Sequence, residues 1–516
     1  MSPNKRIVLN IVATYGRSLY ALAIGLVCGR WTLMALGESD YGLVGVVGGL
    51  TAFISFFNGV MASGVGRFYA LSVGAEERDP VAGLDACHKW FTTAVIVHAV
   101  LPVFLVSIGY PLGEWAVRHF LTIPSDRVEA FVWVWRLSCL NCFIGMASVP
   151  YHAMYVAHQE IAELTVYSFA TTTLNAMFMC YAVNHPGDWL VRYAIWGTLI
   201  CVTPSLIITL RAFVKYRECR FRWQYMNCLH RIKEMLSYCG WLTMGAVALL
   251  MKGQGVVILV NKFFGPRVNA AMAIGNTLSS NCTQLSGSLE GAFWPAIMSA
   301  YGKGDMSLFR SLTSRVNKFA TCLVILFAVP LSMEVDEVLA LWLKKVPAYA
   351  GGLCVCFLAV LIIDKLSIGH CAAINAVGKV AGYQVAVSSM LLLTVPIGWG
   401  LLALGCTVYS VAYAMIGTAV GATIVRVLLA RRIAGLSARA WLVHTVLPLL
   451  FSVVVSGLFA CLPRFSLSSS FVRVVLTTLF FLCAYAVCVC FLVMDSAERN
   501  FARTRLRQKF ARKADS

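Results

Sequence analysis

Four basic side chains stand inside mostly apolar stretches of the chain, where a charge is costly: Arg17, Arg67, Arg136 and Lys252. An arginine at the centre of a membrane-spanning helix costs roughly 2.5–3.5 kcal/mol on insertion scales, so we expect it to face protein or water rather than lipid. The planar fork of arginine suits bidentate contact with phosphate, and lysine supplies a compact point charge. These four residues are therefore the candidate substrate-binding set, and they indicate an anionic substrate.

Two acidic side chains, Glu290 and Asp364, interrupt apolar stretches in the same way, and Lys365 follows Asp364 directly. These three residues are candidates for coupling transport to a cation or proton, or for pairing with other charges. Structural pairing is the alternative for every intramembrane charge. Two acids cannot neutralise all of the bases, however, and the surplus of positive charge favours an anionic substrate.

The composition indicates which class of protein contains these residues. Of 516 residues, 59% are hydrophobic and only 13% are charged, with a mean hydropathy of +0.77. A soluble domain would carry about 25% charged residues. Repeated apolar runs of about 20 residues predict an all-α polytopic membrane protein, and they exclude an outer-membrane barrel, whose segments are shorter and alternating.

The hydropathy pattern predicts about fourteen transmembrane helices. The first six spans are 7–36, 41–70, 90–112, 129–157, 161–183 and 189–210. The next six are 235–264, 270–299, 312–332, 349–374, 380–397 and 401–425, and the last two are 441–461 and 472–494.

The distribution of Lys and Arg predicts the orientation. Alternate loops and the two tails carry 25 of these residues, and the remaining loops carry 6. By the positive-inside rule the richer set is cytoplasmic, which places both termini in the cytoplasm. The net charge of +19 therefore follows from topology and does not indicate nucleic acid. The basic loop 211–234 is interpreted as a juxtamembrane segment beside anionic headgroups.

A weak internal repeat relates the two halves at an offset of 228 residues. It aligns Leu36-Gly37 with Phe264-Gly265 and Val73-Gly74 with Tyr301-Gly302. Both halves begin inside, so they are parallel repeats, and two six-helix lobes around a cavity are expected. The predicted organisation is an N-lobe at 1–210, the basic inter-lobe loop at 211–234, a C-lobe at 235–425, two added spans within 426–494 and a basic cytoplasmic tail at 495–516.

Several blocks between residues 29 and 379 resemble the Wzx-type oligosaccharide-lipid flippases. The most specific blocks are Leu36–Gly49, with its Leu-Gly-Glu-Ser-Asp-Tyr-Gly start, and Asn261–Ala271. Supporting matches are Arg67-Phe68, Val149-Pro150-Tyr151, Ala157-His158, Glu234–Ser237 with Gly240-Trp241, Leu341-Trp-Leu343 with Val346-Pro347, and Ala376–Lys379. This family belongs to the superfamily that also holds the MATE multidrug exporters and the lipid II flippase.

The resemblance implies two MATE-like six-helix lobes related by a pseudo-twofold axis, plus two C-terminal helices. It implies a basic cavity for an undecaprenyl-pyrophosphate-linked oligosaccharide, the repeat unit of an O-antigen, capsule or exopolysaccharide. Arg17 and Arg67 match basic positions that such flippases place in the cavity. Glu290, in the predicted span 270–299, occupies a position where the family resemblance would lead us to expect an arginine, so the chain departs from the family pattern there. The implied partners are this substrate, membrane lipids, and the polysaccharide polymerase and assembly proteins.

Two other functions remain open from the sequence. A cation-coupled drug antiporter of the MATE type would share the fold, but acidic residues should then dominate its cavity. A membrane-embedded polysaccharide polymerase usually needs a sizeable external loop, and the longest predicted one, at 113–128, has about 16 residues. The chain lacks Walker A, Gly-x-Ser-x-Gly and His-Glu-x-x-His motifs, so we expect a transporter rather than an enzyme, without cofactor or metal.

Overall fold

A computed structural model describes residues 3–120, 123, 125–185, 187–264, 266–342, 346–466, 470–496 and 498–500. The described chain is helical and contains no strand. Most of the predicted cytoplasmic tail, 501–516, lies outside the described residues.

The helices follow the apolar spans along the chain. They are α1 (Pro3–Glu76), α2 (Pro80–Trp115), α3 (Val128–Ala147), α4 (Val149–Ala157), α5 (Ile161–Asn184), α6 (Leu190–Lys215), α7 (Leu229–Phe264), α8 (Pro266–Lys303), α9 (Met306–Met333), α10 (Val335–Trp342), α11 (Ala350–Lys365), α12 (Ile368–Val377), α13 (Ala381–Leu392), α14 (Thr394–Ala403), α15 (Tyr409–Ala434), α16 (Ala438–Trp441), α17 (Leu447–Ser466) and α18 (Phe471–Cys488). Short π-helical turns at Ala116–Phe120, Leu442–Val446 and Val489–Val493 continue α2, α16 and α18.

Helix α1 contains the first two predicted spans, divided by one non-helical residue. Gly37 has φ 76° and ψ 167°. A positive φ of this kind suits glycine, because a Cβ atom would clash with the backbone there. The break coincides with the outside turn that the sequence predicts between residues 36 and 41.

The predicted all-α polytopic membrane fold is confirmed. Within the described residues, nine helices are long and apolar enough to cross a membrane, and α11 with α12, bent by 41°, adds a tenth. These counts leave out α1, α5 and α8, although each lies on predicted spans. Several spans are broken into two helices, as α3 and α4 are just before Pro150, where proline cannot continue the hydrogen-bond ladder.

The chain divides into two compact units. The first, called unit 1, contains residues 1–243 and 291–309, and the second, unit 2, contains 244–290 and 310–516. Each unit therefore includes parts of α7 and α8. The lobe boundaries drawn from the repeat, at 210 and 235, remain a prediction.

In unit 1, α1 packs against α2, α4 and α5, and α3 packs against α6. The end of α1 also crosses the end of α8 at two glycines. A Cβ atom on Gly74 would overlap the carbonyl oxygen of Ser299, and one on Gly302 would overlap the carbonyl oxygen of Leu71. The two helices approach this closely because neither glycine has a side chain.

In unit 2, α15 is the central helix, and α11 to α14 pack around it. Its inner face consists of small or slender buried residues, including Ala412, Ala419 and Ala422. The pair α17 and α18 packs against α9 through Phe481 and Tyr485, both nearly inaccessible. Large apolar side chains also cover outward faces of both units, as expected for helices whose solvent is lipid.

Candidate functional site

In unit 2, Glu290 and Lys365 form a direct ion pair. Glu290 lies on α8 and Lys365 ends α11, and the Lys365 Nζ to Glu290 Oε1 distance is 2.5 Å. Ser286, one turn earlier on α8, donates its hydroxyl to the same carboxylate oxygen. Both charged side chains are largely buried, so each one satisfies a charge that would otherwise be uncompensated in a medium of low dielectric. Of the two roles predicted for these residues, the structure shows the pairing.

Lys252 and Asp364 lie in the same unit as this pair. Lys252 is buried on α7, and Asp364, which precedes Lys365, is the carboxylate whose charge acts on it. Arg426 on α15 donates to the backbone oxygen of Asp364 at 3.3 Å and to the hydroxyl of Ser367 at 3.0 Å. Lys252, Lys365 and Arg426 thus lie in the same unit as Glu290 and Asp364.

Arg426 is a buried charge that the sequence interpretation missed. The predicted twelfth span ended at residue 425, which assigned Arg426 to a cytoplasmic loop. Helix α15 instead continues to Ala434, so Arg426 remains inside the packed unit with 8% of its surface exposed. The available signal was the run of helix-forming residues after it, which extends the helix before the Gly435 stop.

In unit 1, Arg17 lies on α1 and is half-buried. Within the described part of the chain it has neither an ion-pair nor a hydrogen-bond partner. The neighbouring turns of α1 contact α5, where Tyr20 shares a 2.7 Å hydrogen bond with Thr173. Helix α1 therefore holds Arg17 in place through its neighbours, while its guanidinium keeps its donors available.

Arg67, near the end of α1, is held by aromatic rings. Its guanidinium carbon lies 4.9 Å from the Phe68 ring centroid and 4.8 Å from that of Tyr238 on α7. Phe68 in turn stacks on Trp90 of α2 at 3.9 Å between centroids. Glu234 is the acid whose charge acts on Arg67. Ring faces stabilise a guanidinium through its π system rather than through its N–H groups.

Arg136 belongs to a different environment. It donates to Glu114 at 3.1 Å, and Arg118 bridges Glu114 and Glu129 at 3.1 and 2.6 Å. This network joins α2 and α3 near the end predicted to be external, and the side chain of Arg136 is about one-third exposed. Its charge is matched by Glu114, a residue that the sequence interpretation assigned to a loop.

The basic segment 211–234 packs on unit 1 more than the headgroup interpretation implies. Lys215 pairs with Glu160 and Glu163, and Arg211 pairs with Glu163. Cys219 is fully inaccessible. These pairs form because acidic residues at the start of α5 lie beside the end of α6, and contact of the segment with lipid headgroups stays a prediction.

His158 and Glu218 form a second polar contact in this region. His158 Nε2 lies 3.0 Å from Glu218 Oε1. Burial acts to raise the pKa of the Glu218 carboxyl, but the hydrogen bond and charge of His158 outweigh it and hold that pKa below its ordinary 4.5. Burial, followed by the charge of Glu218, raises the pKa of Glu76.

The structure therefore brings Lys252, Glu290, Asp364 and Lys365 together in unit 2. Arg17, Arg67 and Arg136 lie in unit 1, and Arg136 belongs to an ion-pair network that includes neither of the other two arginines. Among the residues the structure describes, no cluster of His, Cys, Asp or Glu could hold a metal ion.

Comparison with known proteins identifies the fold. No protein-family model and no curated protein sequence matches the chain. Solved structures do match: an outward-facing multidrug resistance MATE family transporter of the MOP superfamily aligns with a TM-score of 0.67 at 14% identity, covering 84% of this chain and 97% of that one. A MATE transporter in the bent conformation aligns with a TM-score of 0.68 at 16% identity, covering 84% of this chain and 96% of that one.

A MOP superfamily transporter from Pyrococcus furiosus also matches, at a TM-score of 0.68 and 15% identity, over 84% of this chain and 97% of that one. That protein is described as having a binding pocket of reverse polarity that suggests a different function. At these identities the likeness concerns the backbone. The chain is a multi-pass helical membrane protein with the fold of the MATE transporters of the MOP superfamily.

Proposed function

We propose that this protein is a flippase that moves an undecaprenyl-pyrophosphate-linked oligosaccharide from the cytoplasmic to the outer leaflet of the bacterial inner membrane. Arg17 is the observation that carries the proposal. It is half-buried on an apolar helix and has no partner among the described residues. A half-buried guanidinium without a counter-charge can bind an anion, and its planar fork suits bidentate contact with the phosphates of a pyrophosphate.

The setting of Arg67 supports the same substrate class. Arg67 places a second guanidinium on α1, held by the rings of Phe68 and Tyr238. Charge-assisted hydrogen bonds from a guanidinium to phosphate are about twice as strong as neutral ones, so a second arginine on α1 would add to the recognition of a diphosphate.

Alternating access between two lobes would carry the substrate across. The lipid tail would remain in the bilayer while the phosphates and sugars pass through the wet interior. Lys365 and Glu290 would take part only if their ion pair separated, because each charge is otherwise satisfied by the other. The reverse-polarity pocket described for the Pyrococcus furiosus protein supports the view that this fold accommodates pockets of different charge.

The test is transport by purified protein in liposomes that contain a fluorescent undecaprenyl-pyrophosphate oligosaccharide. We expect Arg17→Ala to reduce the flipping rate at least tenfold, because losing one charge-assisted contact of about 1.5–3 kcal/mol weakens binding by that factor or more. Arg192→Ala is the matched control, since Arg192 is an exposed arginine stacked on Trp189. Wild-type flipping by Arg17→Ala would overturn the proposal.

A cation-coupled drug antiporter is the second candidate, because the matching structures are MATE transporters and unit 2 holds two interior carboxylates. This function predicts drug resistance in an expressing strain and its loss with Glu290→Gln. Resistance that is absent from the wild type, or unchanged by Glu290→Gln, contradicts it.

A further inference from the structure

Unit 2 contains a cavity of about 270 Å³, separate from the charged residues described above. It lies where α9 begins, beside α12 and the connection from α15 into α17, at the end predicted to be cytoplasmic. The polar side chains that line it include Arg310, Ser314, His370, Ser437, His444 and Thr445.

His370 offers this cavity a defined hydrogen-bond donor. The Asn317 Oδ1 atom accepts from the Gly369 N–H at 2.6 Å, which fixes the orientation of the Asn317 amide. Asn317 Nδ2 therefore donates to His370 Nδ1 at 3.0 Å, and the ring proton must sit on Nε2. His370 has only 3% of its surface exposed, and its Nε2 has no protein partner within the described chain.

Two further lining residues, Arg310 and Ser437, can also donate. Arg310 has no ion pair or hydrogen bond among the residues that the structure describes. The Ser437 oxygen accepts from the Ala440 N–H, which leaves its hydroxyl hydrogen free to donate. The described lining contains no acidic side chain. A concave site that combines a guanidinium, an imidazole N–H and hydroxyls matches an oxyanion.

We propose that this cavity binds a phosphate group, presented either by an anionic lipid headgroup or by a free phosphate. Arg310 supplies the charge and a bidentate contact, and His370 supplies a fixed donor at the buried end. The volume is below the roughly 300–1,000 Å³ of clefts that bind drug-sized ligands, which fits a small charged group. A bound phosphate would join α9, α12 and α16 through ligand contacts.

The setting of Trp441 supports a preformed site. Its indole N–H donates to the Leu366 carbonyl at 2.7 Å, and its ring meets the His370 ring edge-on at 5.9 Å between centroids. The wall is therefore fixed before a ligand arrives, so little ordering entropy opposes binding.

Two probes distinguish the sources of the phosphate. Inorganic phosphate is titrated against the full-length purified protein, with the melting temperature as readout, since a ligand that binds only the folded state stabilises it by RT ln(1 + [L]/Kd). Phosphatidylglycerol is then compared with diacylglycerol, which lacks the phosphate, by native mass spectrometry of the same protein. A melting temperature that rises with phosphate concentration in this way indicates a free phosphate, and selective retention of phosphatidylglycerol indicates a headgroup.

Variants locate the binding in this cavity. We expect Arg310→Gln to lower the affinity for whichever probe binds by about tenfold. His370→Phe should also lower this affinity, whereas His370→Gln, which keeps a donor, should retain part of it. Arg432→Gln is the matched control, because Arg432 is an exposed base at the end of α15 that does not line the cavity. The proposal is overturned if neither probe binds, or if Arg310→Gln binds as the wild type does, or if Arg432→Gln loses as much affinity.

Discussion

The interior charges of the two units are stabilised in different ways. In unit 2, Lys365 meets the carboxylate of Glu290 directly, and the charge of Asp364 acts on Lys252. In unit 1, aromatic rings hold Arg67, and Arg17 has no partner among the described residues. Lysine concentrates its charge on one nitrogen and is strongly hydrated, so a buried lysine needs a counter-ion, whereas the diffuse guanidinium tolerates ring faces. The difference separates charges that are satisfied within the protein from the charge of Arg17, which we propose is available to a substrate.

The largest effect should come from breaking the pair in unit 2. Replacing Glu290 by leucine leaves the ammonium group of Lys365 buried without a partner, which costs about 3–5 kcal/mol of the free energy of unfolding. Denaturant unfolding of the detergent-solubilised protein measures it. The double variant with Lys365→Met should recover most of the loss, because both charges are then removed. If Glu290→Leu were as stable as the wild type, the pair would have no structural role.

A smaller coupling is expected for the ring cage in unit 1. A double-mutant cycle of Arg67→Met and Tyr238→Leu should give a coupling free energy of about 2 kcal/mol, the value typical of a desolvated cation–π contact. The cycle separates this coupling from the packing lost with the ring. Additive single effects would mean that Tyr238 only packs against Arg67, and the contrast with unit 2 would then need another explanation.

The contact between His158 and Glu218 is a direct polar pair in unit 1 that can be compared with the buried pair of unit 2. Glu218→Gln should lower the free energy of unfolding by about 1 kcal/mol at pH 7. The pKa of Glu218 is lowered in the folded protein, so the stabilisation is present above the ordinary value of 4.5 and is lost as the pH falls through the lower folded value. Melting temperatures of variant and wild type should therefore converge on acidification. If the difference in melting temperature stayed the same at every pH, the contact would depend on packing rather than on charge.

The smallest effect on stability is expected at Arg17. Because it has no partner among the described residues, Arg17→Ala should change the free energy of unfolding by no more than about 0.5 kcal/mol, as for most substitutions away from packed or paired features. Thermal unfolding of the same preparation used for transport provides the measurement. A loss of several kcal/mol would assign Arg17 to the structure of unit 1 and remove the contrast between the units.

Hydropathy was enough to predict the fold, because a bilayer requires long apolar helices and the turns between them are short. It also identified some of the interior charges, since a charge in an apolar run is visible by type alone, but it missed Arg426. The pairing of Glu290 with Lys365 was not predictable, because the two residues are 75 positions apart and only the packing of α8 against α11 brings them together. The sequence therefore left open whether these residues pair with other charges or couple transport to a cation or proton.

Other errors had a common cause, which is that helix ends are poorly defined by hydropathy. Arg426 was assigned to a loop although α15 extends nine residues beyond the predicted span. Glu114 was assigned to an external loop although it contacts Arg136 on α3. In both cases a polar residue near the end of a span keeps the helical backbone and meets a partner on another helix, which no single segment reveals.

The glycine crossing of α1 and α8 has a consequence for how the chain is made. Gly74 and Gly302 meet within unit 1, yet 228 residues separate them in sequence. A ribosome must therefore synthesise all of 244–290, which belong to unit 2, before residues 291–309 can complete unit 1. Domains usually fold one after another as they emerge from the ribosome, but unit 1 cannot complete its fold until residues 291–309 have been synthesised. A fragment that ends at residue 234 would leave the narrow backbone face at Gly74 without its partner, so the first half is not expected to be a stable protein on its own.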